Sequence, residues 1–200
     1  GLNIHPDEVV HLAAVSYYAQ HLLPPALNSE VISDSFSVYG FSRLGGYEIY
    51  YQLAGYFQTL ISGLKLSELA GARAFGLTLF MLLALFSALH KPFRVFALPL
   101  IISAQVWYIF SYTNSDAFAL SLTLLVAYLA AWPDSLLNRF LSDVAPRYYI
   151  LKLVGLGLLL GMLLLLKVNY YFFVLFLGLY LLWRVWRGDF PEQKRLWARI

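Results

Sequence analysis

No cysteine occurs in the 200-residue chain. This excludes disulfides, thiolate catalysis and thiolate metal sites, while saying little about compartment. Charge is scarce as well. Asp, Glu, Lys and Arg make up 12% of residues, roughly half the share of about 25% usual in a soluble domain. The basic residues form no patch interleaved with aromatics, so a net charge of +3 points to loop bias rather than to nucleic acid. Common enzyme signatures are missing too: there is no phosphate-binding glycine loop, no HExxH and no Gly-x-Ser-x-Gly elbow. The chain begins without Met and without a basic region leading into an apolar one, so no signal peptide is read. The expectation is a piece of something longer, or a processed product.

Hydrophobic residues are abundant at 60%, and aromatics reach 18%, as suits a chain anchored at membrane interfaces. A bilayer-spanning helix needs about 20 mostly apolar residues. Five stretches qualify or nearly so: 71–89, 95–112 with Pro99 as an expected kink, 116–132, 148–166 and 170–186. The expected fold class is therefore all-α: a polytopic membrane bundle over 71–186, preceded by a loop, 1–70, and followed by a tail, 187–200. Alternating the five spans collects Lys91, Arg94, Arg139, Arg147, Arg187, Lys194, Arg195 and Arg199 on one side. The opposite side holds only Arg43, Lys65 and Lys167 among Lys and Arg. The positive-inside rule then makes the tail cytoplasmic and residues 1–70 extracytoplasmic, with most acids outside. An odd number of spans with an external start implies a missing preceding span.

The external segment reads as helix, loop, helix. Pro6, followed by Asp7 and Glu8 in the first turn, starts a juxtamembrane helix over 6–23 that Pro24 and Pro25 stop. The Ser- and Gly-rich loop 28–46 is expected to be mobile. A second helix, 47–64, carries Ile49, Leu53, Phe57, Leu60, Ile61 and Leu64 on one stripe, suited to lying in the interface or packing over the spans. Tyr50, Tyr51, Tyr170 and Tyr171 suit interface anchoring, with Tyr50 and Tyr51 also candidates to line a substrate site.

Titratable groups concentrate at the start, in HPDEVVH. On a helix from Pro6, Asp7 and His11 are four apart and Glu8 and His11 three apart. They could meet at a divalent cation or form a base for an acceptor hydroxyl; alternatively the acids simply cap the helix. Asp116, within TNSDAFAL, either belongs to an N-cap signal or adds an acid to the same external face. Lys167, at the last external turn, either binds a phosphate or snorkels, and Lys152 and Arg73 are open to the same snorkelling. Gly157 and Gly161 form a GxxxG suited to close helix packing.

HPDEVVHLAAVSYYAQHLLPP resembles the first external loop of GT-C superfamily membrane glycosyltransferases, in particular bacterial relatives of protein O-mannosyltransferases and lipid A aminoarabinose transferases. YEIYYQLAGYFQTLISGLKLSELAGARAFGL is similar to their second juxtamembrane helix and following span. SYTNSDAFALSLTLLVAYLA and LLKVNYYFF resemble their later external turns. Gly45-Gly46 stands where the family often has Pro-Pro. The resemblance implies transfer of a sugar from a polyprenyl-phosphate donor, with inversion, at the external membrane face of a bacterial inner membrane. It implies that Asp7 is the catalytic acid matched in the first loop and Glu8 its companion, with His11, Asp116, Lys167, Tyr50 and Tyr51 as substrate-binding candidates. Some members need a divalent cation such as Mg or Mn, for which Asp7, His11 and Asp116 are the candidate ligands. The acceptor, whether protein, lipid or glycan, is left open. Two other classes compete: a polytopic transporter, disfavoured by the lack of mid-span acids and half-repeats, and a non-catalytic membrane scaffold.

Overall fold

The computed structural model describes residues 7–142 and 148–189. His5, Pro6, Arg147 and the tail residues Lys194, Arg195 and Arg199 lie outside the described residues. Among the described residues the chain is helical with no strand, beyond one isolated bridge pairing Phe36 with Ser42. Among the described residues three helical stretches are long and apolar enough to cross a membrane: Glu68–Leu89, Ser115–Ser142 and Val168–Arg187. A fourth crossing is possible only as a broken one, Lys91–Leu100 plus Ala104–Ser111, bent by 87°. The expected span at 148–166 is an apolar helix of 16 residues, Tyr149–Leu164, short of the usual length.

Two compact units are present. The first runs to Ser121 and includes Leu165–Lys167. Its first helix, α1 (Glu8–Gln20), is shorter at both ends than the expected 6–23. It ends before Pro24 because side chains take its last carbonyls. His21 is already extended, and its Nδ1 bonds the Tyr17 carbonyl at 3.0 Å while its ring stacks on Tyr17 at 4.2 Å. Thr59 donates to the Ala19 carbonyl at 2.8 Å and Gln52 to that of Leu22 at 3.1 Å, so carbonyls without intrahelical partners are satisfied from outside the helix.

The loop 28–46, expected to be mobile, is closed by its own serines. A 3₁₀ helix, Glu30–Ser35, leads to Ser35, whose hydroxyl donates to the Ile32 carbonyl (3.0 Å), accepts from Leu44 N–H (3.1 Å) and meets Ser42 Oγ at 2.7 Å. The second helix, α2 (Ile49–Leu60), begins two residues after 47 because Tyr47 holds a left-handed backbone (φ +49°) and Glu48 is extended. The aliphatic stripe is not its most buried face. Tyr50, Tyr51, Ala54 and Gly55 are buried, whereas Leu60 is 81% exposed. Gly55 lets α1 and α2 touch, since a Cβ there would lie 2.6 Å from the Tyr18 carbonyl carbon.

Helix α3 (Glu68–Leu89) starts three residues before 71, with Ser67 accepting from Ala70 N–H at its N-cap. It buries Gly71, Ala72, Phe75, Gly76 and Ser87 and turns leucines and Met81 outward, the small-inside arrangement that helices in lipid favour. Gly76 would place a Cβ 2.9 Å from the Phe110 carbonyl oxygen. Phe110 lies on α5 (Ala104–Ser111), which follows α4 (Arg94–Ile102). The break falls at an extended Ser103, four residues after the expected kink at Pro99. Helix α6 (Ser115–Ala131) begins in this unit.

The second unit contains the remainder of α6, α7 (Leu136–Ser142), α8 (Tyr149–Leu164) and α9 (Tyr171–Arg187). Arg184 of α9 donates to the Asn138 side-chain oxygen and to the Ala130 carbonyl at 2.9 Å, and pairs with Asp189 at 3.1 Å. Lys152 lines an apolar cavity of about 250 Å³ with Leu129, Leu136, Phe140 and Leu156. Gly157 and Gly161 do not mediate the close packing expected of GxxxG, since a Cβ at either meets no atom within 4 Å.

Gly55→Ala should lower the thermal midpoint in detergent, with a cost of roughly 1–3 kcal/mol from overpacking against immobile backbone. Gly157→Ala, the same chemical change in open space, should cost nothing measurable. Equal effects at the two positions would contradict the helix contact described at Gly55.

Candidate functional site

The buried residues of α1, Glu8, His11, the adjacent Ala14 and Val15, and Tyr18, follow the helical repeat and form its inner stripe. Glu8 is wholly buried. Its carboxylate receives Arg73 Nε at 2.9 Å and Nη2 at 2.6 Å, a two-pronged pairing, and also accepts the Thr113 backbone N–H at 2.8 Å. Arg73 therefore does not snorkel. An arginine inside an apolar span finds its partner in an acid from a different helix. Because three donors surround it, the Glu8 carboxylate has its desolvation offset by charge-assisted bonds.

His11, one turn on, is also buried, and its Nδ1 lies 2.7 Å from the Tyr51 hydroxyl. Tyr51 and Tyr50 have 0% and 1% of their surface exposed, which corrects the interface-anchor expectation for both. Burial pushes both phenols above their ordinary pKa, so they act as neutral hydroxyls. Tyr171 does sit outward, with its hydroxyl bonded to the Leu164 carbonyl at 3.0 Å.

The turn before α6 is organised by Asn114. Its side-chain oxygen accepts from Asp116 N–H (2.8 Å) and Ala117 N–H (3.1 Å), and its amide nitrogen donates to the Ile109 carbonyl at 2.6 Å. The cap reading of TNSD is thus correct for Asn114, and it leaves the Asp116 carboxylate for Lys167, 3.3 Å away. Each of these two side chains keeps more than a quarter of its surface exposed. The chain around Lys167 is attached to α2 through Ile49 N–H, which donates to the Leu165 carbonyl at 3.1 Å.

Asp7 occupies the N-cap position of α1 without a side-chain capping bond. It stays half-buried, next to Glu8, and is electrostatically within reach of Tyr112, as are Glu8 and Asp116. Among the described residues no group of three or more His, Asp or Glu side chains converges to hold a metal.

Sequence reasoning gives Glu48, Arg43 and Ser115 no site role and reads Arg73 only as open to snorkelling. Glu48 sits among Ser115, Arg43, Lys167 and Asp116. Burial holds its carboxyl above the ordinary 4.5, opposed by Ser115, Arg43 and Lys167 and reinforced by Asp116. For Arg73 a signal existed: a lone cation three positions into an apolar run needs a partner. Glu48 and Arg43 carried no such signal, since an acid and a base in a loop are ordinarily solvated. No family model, curated protein or solved structure matches the chain.

Removing one member of the Glu8–Arg73 pair should be costly. Arg73→Leu strands a buried carboxylate, for a loss of roughly 3 kcal/mol, the lower end of the usual range because Arg73 retains some exposure. Adding Glu8→Gln, which still accepts from Thr113, should recover at least about 1 kcal/mol. Thermal unfolding in detergent checks this, and a double variant no more stable than Arg73→Leu would refute the pairing.

Glu48 generates a pH prediction. The folded chain holds its proton more tightly than the unfolded chain. This contribution to stability is complete below pH 4.5 and is lost as pH rises through the raised folded value. The thermal midpoint of Glu48→Gln minus that of the parent should therefore grow as pH increases from 4.5. A difference that stays flat with pH would show that Glu48 is not shifted.

Proposed function

We propose that this chain is a membrane glycosyltransferase of GT-C type, or a module of one. It takes a sugar from a polyprenyl-phosphate donor and passes it to an acceptor at the extracytoplasmic face of a bacterial inner membrane. The proposed topology has five spans, with 1–70 outside, 187–200 cytoplasmic, and 95–112 and 148–166 as a broken and a short crossing. One observation carries the reading. Three segments far apart in sequence, the start of α1, the start of α6 and the turn at Lys167, meet in one unit and bring together Asp7, the Glu8–Arg73 pair and the Asp116–Lys167 pair.

In this reading Asp7 takes the proton of an acceptor hydroxyl as its oxygen bonds the anomeric carbon. The bond from that carbon to the phosphate oxygen breaks, and the polyprenyl phosphate leaves with the electron pair, inverting the centre. Glu8 does no proton transfer: saturated by three donors, it holds α1 so that Asp7 is presented. Lys167 neutralises the leaving phosphate by exchanging its long contact with Asp116 for one with phosphate oxygen.

Asp7→Asn should insert and unfold like the parent while losing about 10²–10⁴-fold in transfer rate. The assay is transfer of radiolabelled sugar from undecaprenyl-phosphate donors to membrane acceptors. Full activity in Asp7→Asn would end Asp7's role as base. Sugar or ion flux across proteoliposomes without glycosylated product would replace the reading with a transporter.

A further inference from the structure

The serine network satisfies much of 28–46, whereas several enclosed polar atoms have no hydrogen bond: Ser16 Oγ and Gln58 Oε1 lie apart, and the others fall around the start of α2 and the start of α6. Glu48 Oε2, Arg43 Nε and Ser115 Oγ are all enclosed, and none has a hydrogen-bond partner. The Thr113 hydroxyl and the Tyr50 hydroxyl share this condition. Ser115, only 3% exposed, lies close enough to Glu48 to favour its charged form without making a well-aligned hydrogen bond. Leaving such atoms unpaired is costly, so a cluster of them marks a place where a partner is missing.

The fold does not account for the cluster. Glu48 is the N-cap residue of α2 yet makes no side-chain capping bond. Ser115 is not needed to cap α6, because Asn114 already does so. What remains is a set of chemical demands. Arg43 Nε–H requires an acceptor, Glu48 Oε2 requires a donor, and Ser115 accepts either. A bare phosphate offers mainly acceptors and is repelled by Glu48 and Asp116. A simple cation offers Arg43 no acceptor. Neighbouring hydroxyls on a sugar ring donate and accept at once and meet all three demands.

We infer that Glu48, Arg43 and Ser115 form a hydroxyl-recognition subsite that grips the sugar of a lipid-linked donor, next to the Asp116–Lys167 pair. The inference rests on the glycosyltransferase reading and adds to it the residues that distinguish a sugar-charged lipid from a bare one. Because the three atoms are enclosed, entry requires the segment that carries Arg43 to move relative to the start of α2. Gly45, Gly46 and the left-handed Tyr47 lie between them in the chain, where backbone freedom and stored strain favour such a movement.

The test measures binding to the chain in nanodiscs, using undecaprenyl phosphate and the same lipid carrying glucose, mannose, galactose or a pentose. The parent should prefer one charged lipid over the bare one. Glu48→Gln and Ser115→Ala should each reduce that preference by about tenfold or more, the worth of a hydrogen bond to a charged or enclosed group. Bare-lipid affinity should stay within roughly twofold of the parent in Ser115→Ala and should not fall in Glu48→Gln, since neither group bonds the phosphate. Ser115→Ala should also keep or raise the thermal midpoint, because it deletes a hydroxyl that has no partner. Variants that retain the preference, a parent that binds bare and charged lipids alike, or a Ser115→Ala that unfolds early would each overturn the subsite while leaving lipid binding intact. A parent that binds none of the lipids would overturn the glycosyltransferase reading, and the subsite with it.

Discussion

The Glu8 carboxylate is the constraint on which the first unit depends. Wholly buried, it accepts from Arg73 of α3 and from the backbone at Thr113. A buried carboxylate is tolerated only when its donors are all in place, so this group dictates where three segments stand. It holds α1 against α3, gives an arginine inside an apolar helix its counter-charge, and draws in the turn that leads to α6. Once Thr113 is held there, Asn114 can cap α6 and Asp116 emerges facing Lys167. Asp7, one residue before Glu8, is presented by the same anchoring.

The arrangement of α2 follows from the solvent that each face meets. In water, an apolar stripe on a helix is buried and a tyrosine face is exposed. Here the tyrosines turn inward, where His11 bonds Tyr51, while Leu60 and Leu64 are exposed. A lipid interface receives aliphatic side chains at no cost and offers few partners for a hydroxyl, whereas a polar interior offers several. The outward leucines of α3 obey the same rule. Glu8, His11, Tyr50 and Tyr51 of the unit are thus turned inward, away from its aliphatic outer face.

Much of the helical content was legible, because apolar runs of 17 to 19 residues leave lipid-spanning or lipid-facing helices as the economical outcome. HPDEVVH was legible as the start of a helix and as a cluster on one face. Its pairings were not. Spacing along α1 brings Asp7, Glu8 and His11 near one another, but the partners of Glu8 are Arg73 and Thr113 and that of His11 is Tyr51, separated from them by 40 to 105 positions. Local periodicity carries no information about which distant group completes a buried bond. The same reason hid Glu48, Arg43 and Ser115, each unremarkable in its own segment. Lys167 was visible as a lone cation on an acid-rich side, and an acid on that side, Asp116, is what it meets.

By itself the sequence determined the medium and the local elements: an all-helical chain, apolar enough for three helices to cross a bilayer, with its acids gathered in a few turns. These properties follow from composition and from periodicities of a few residues. Tertiary structure alone decided which charges are paired and which are left over. It sealed Glu8 with Arg73, set Asp116 against Lys167 and enclosed Glu48 Oε2 without a hydrogen bond. The reason is physical. The cost of burying a charge depends on every atom that surrounds it, and those atoms come from segments that only folding brings together.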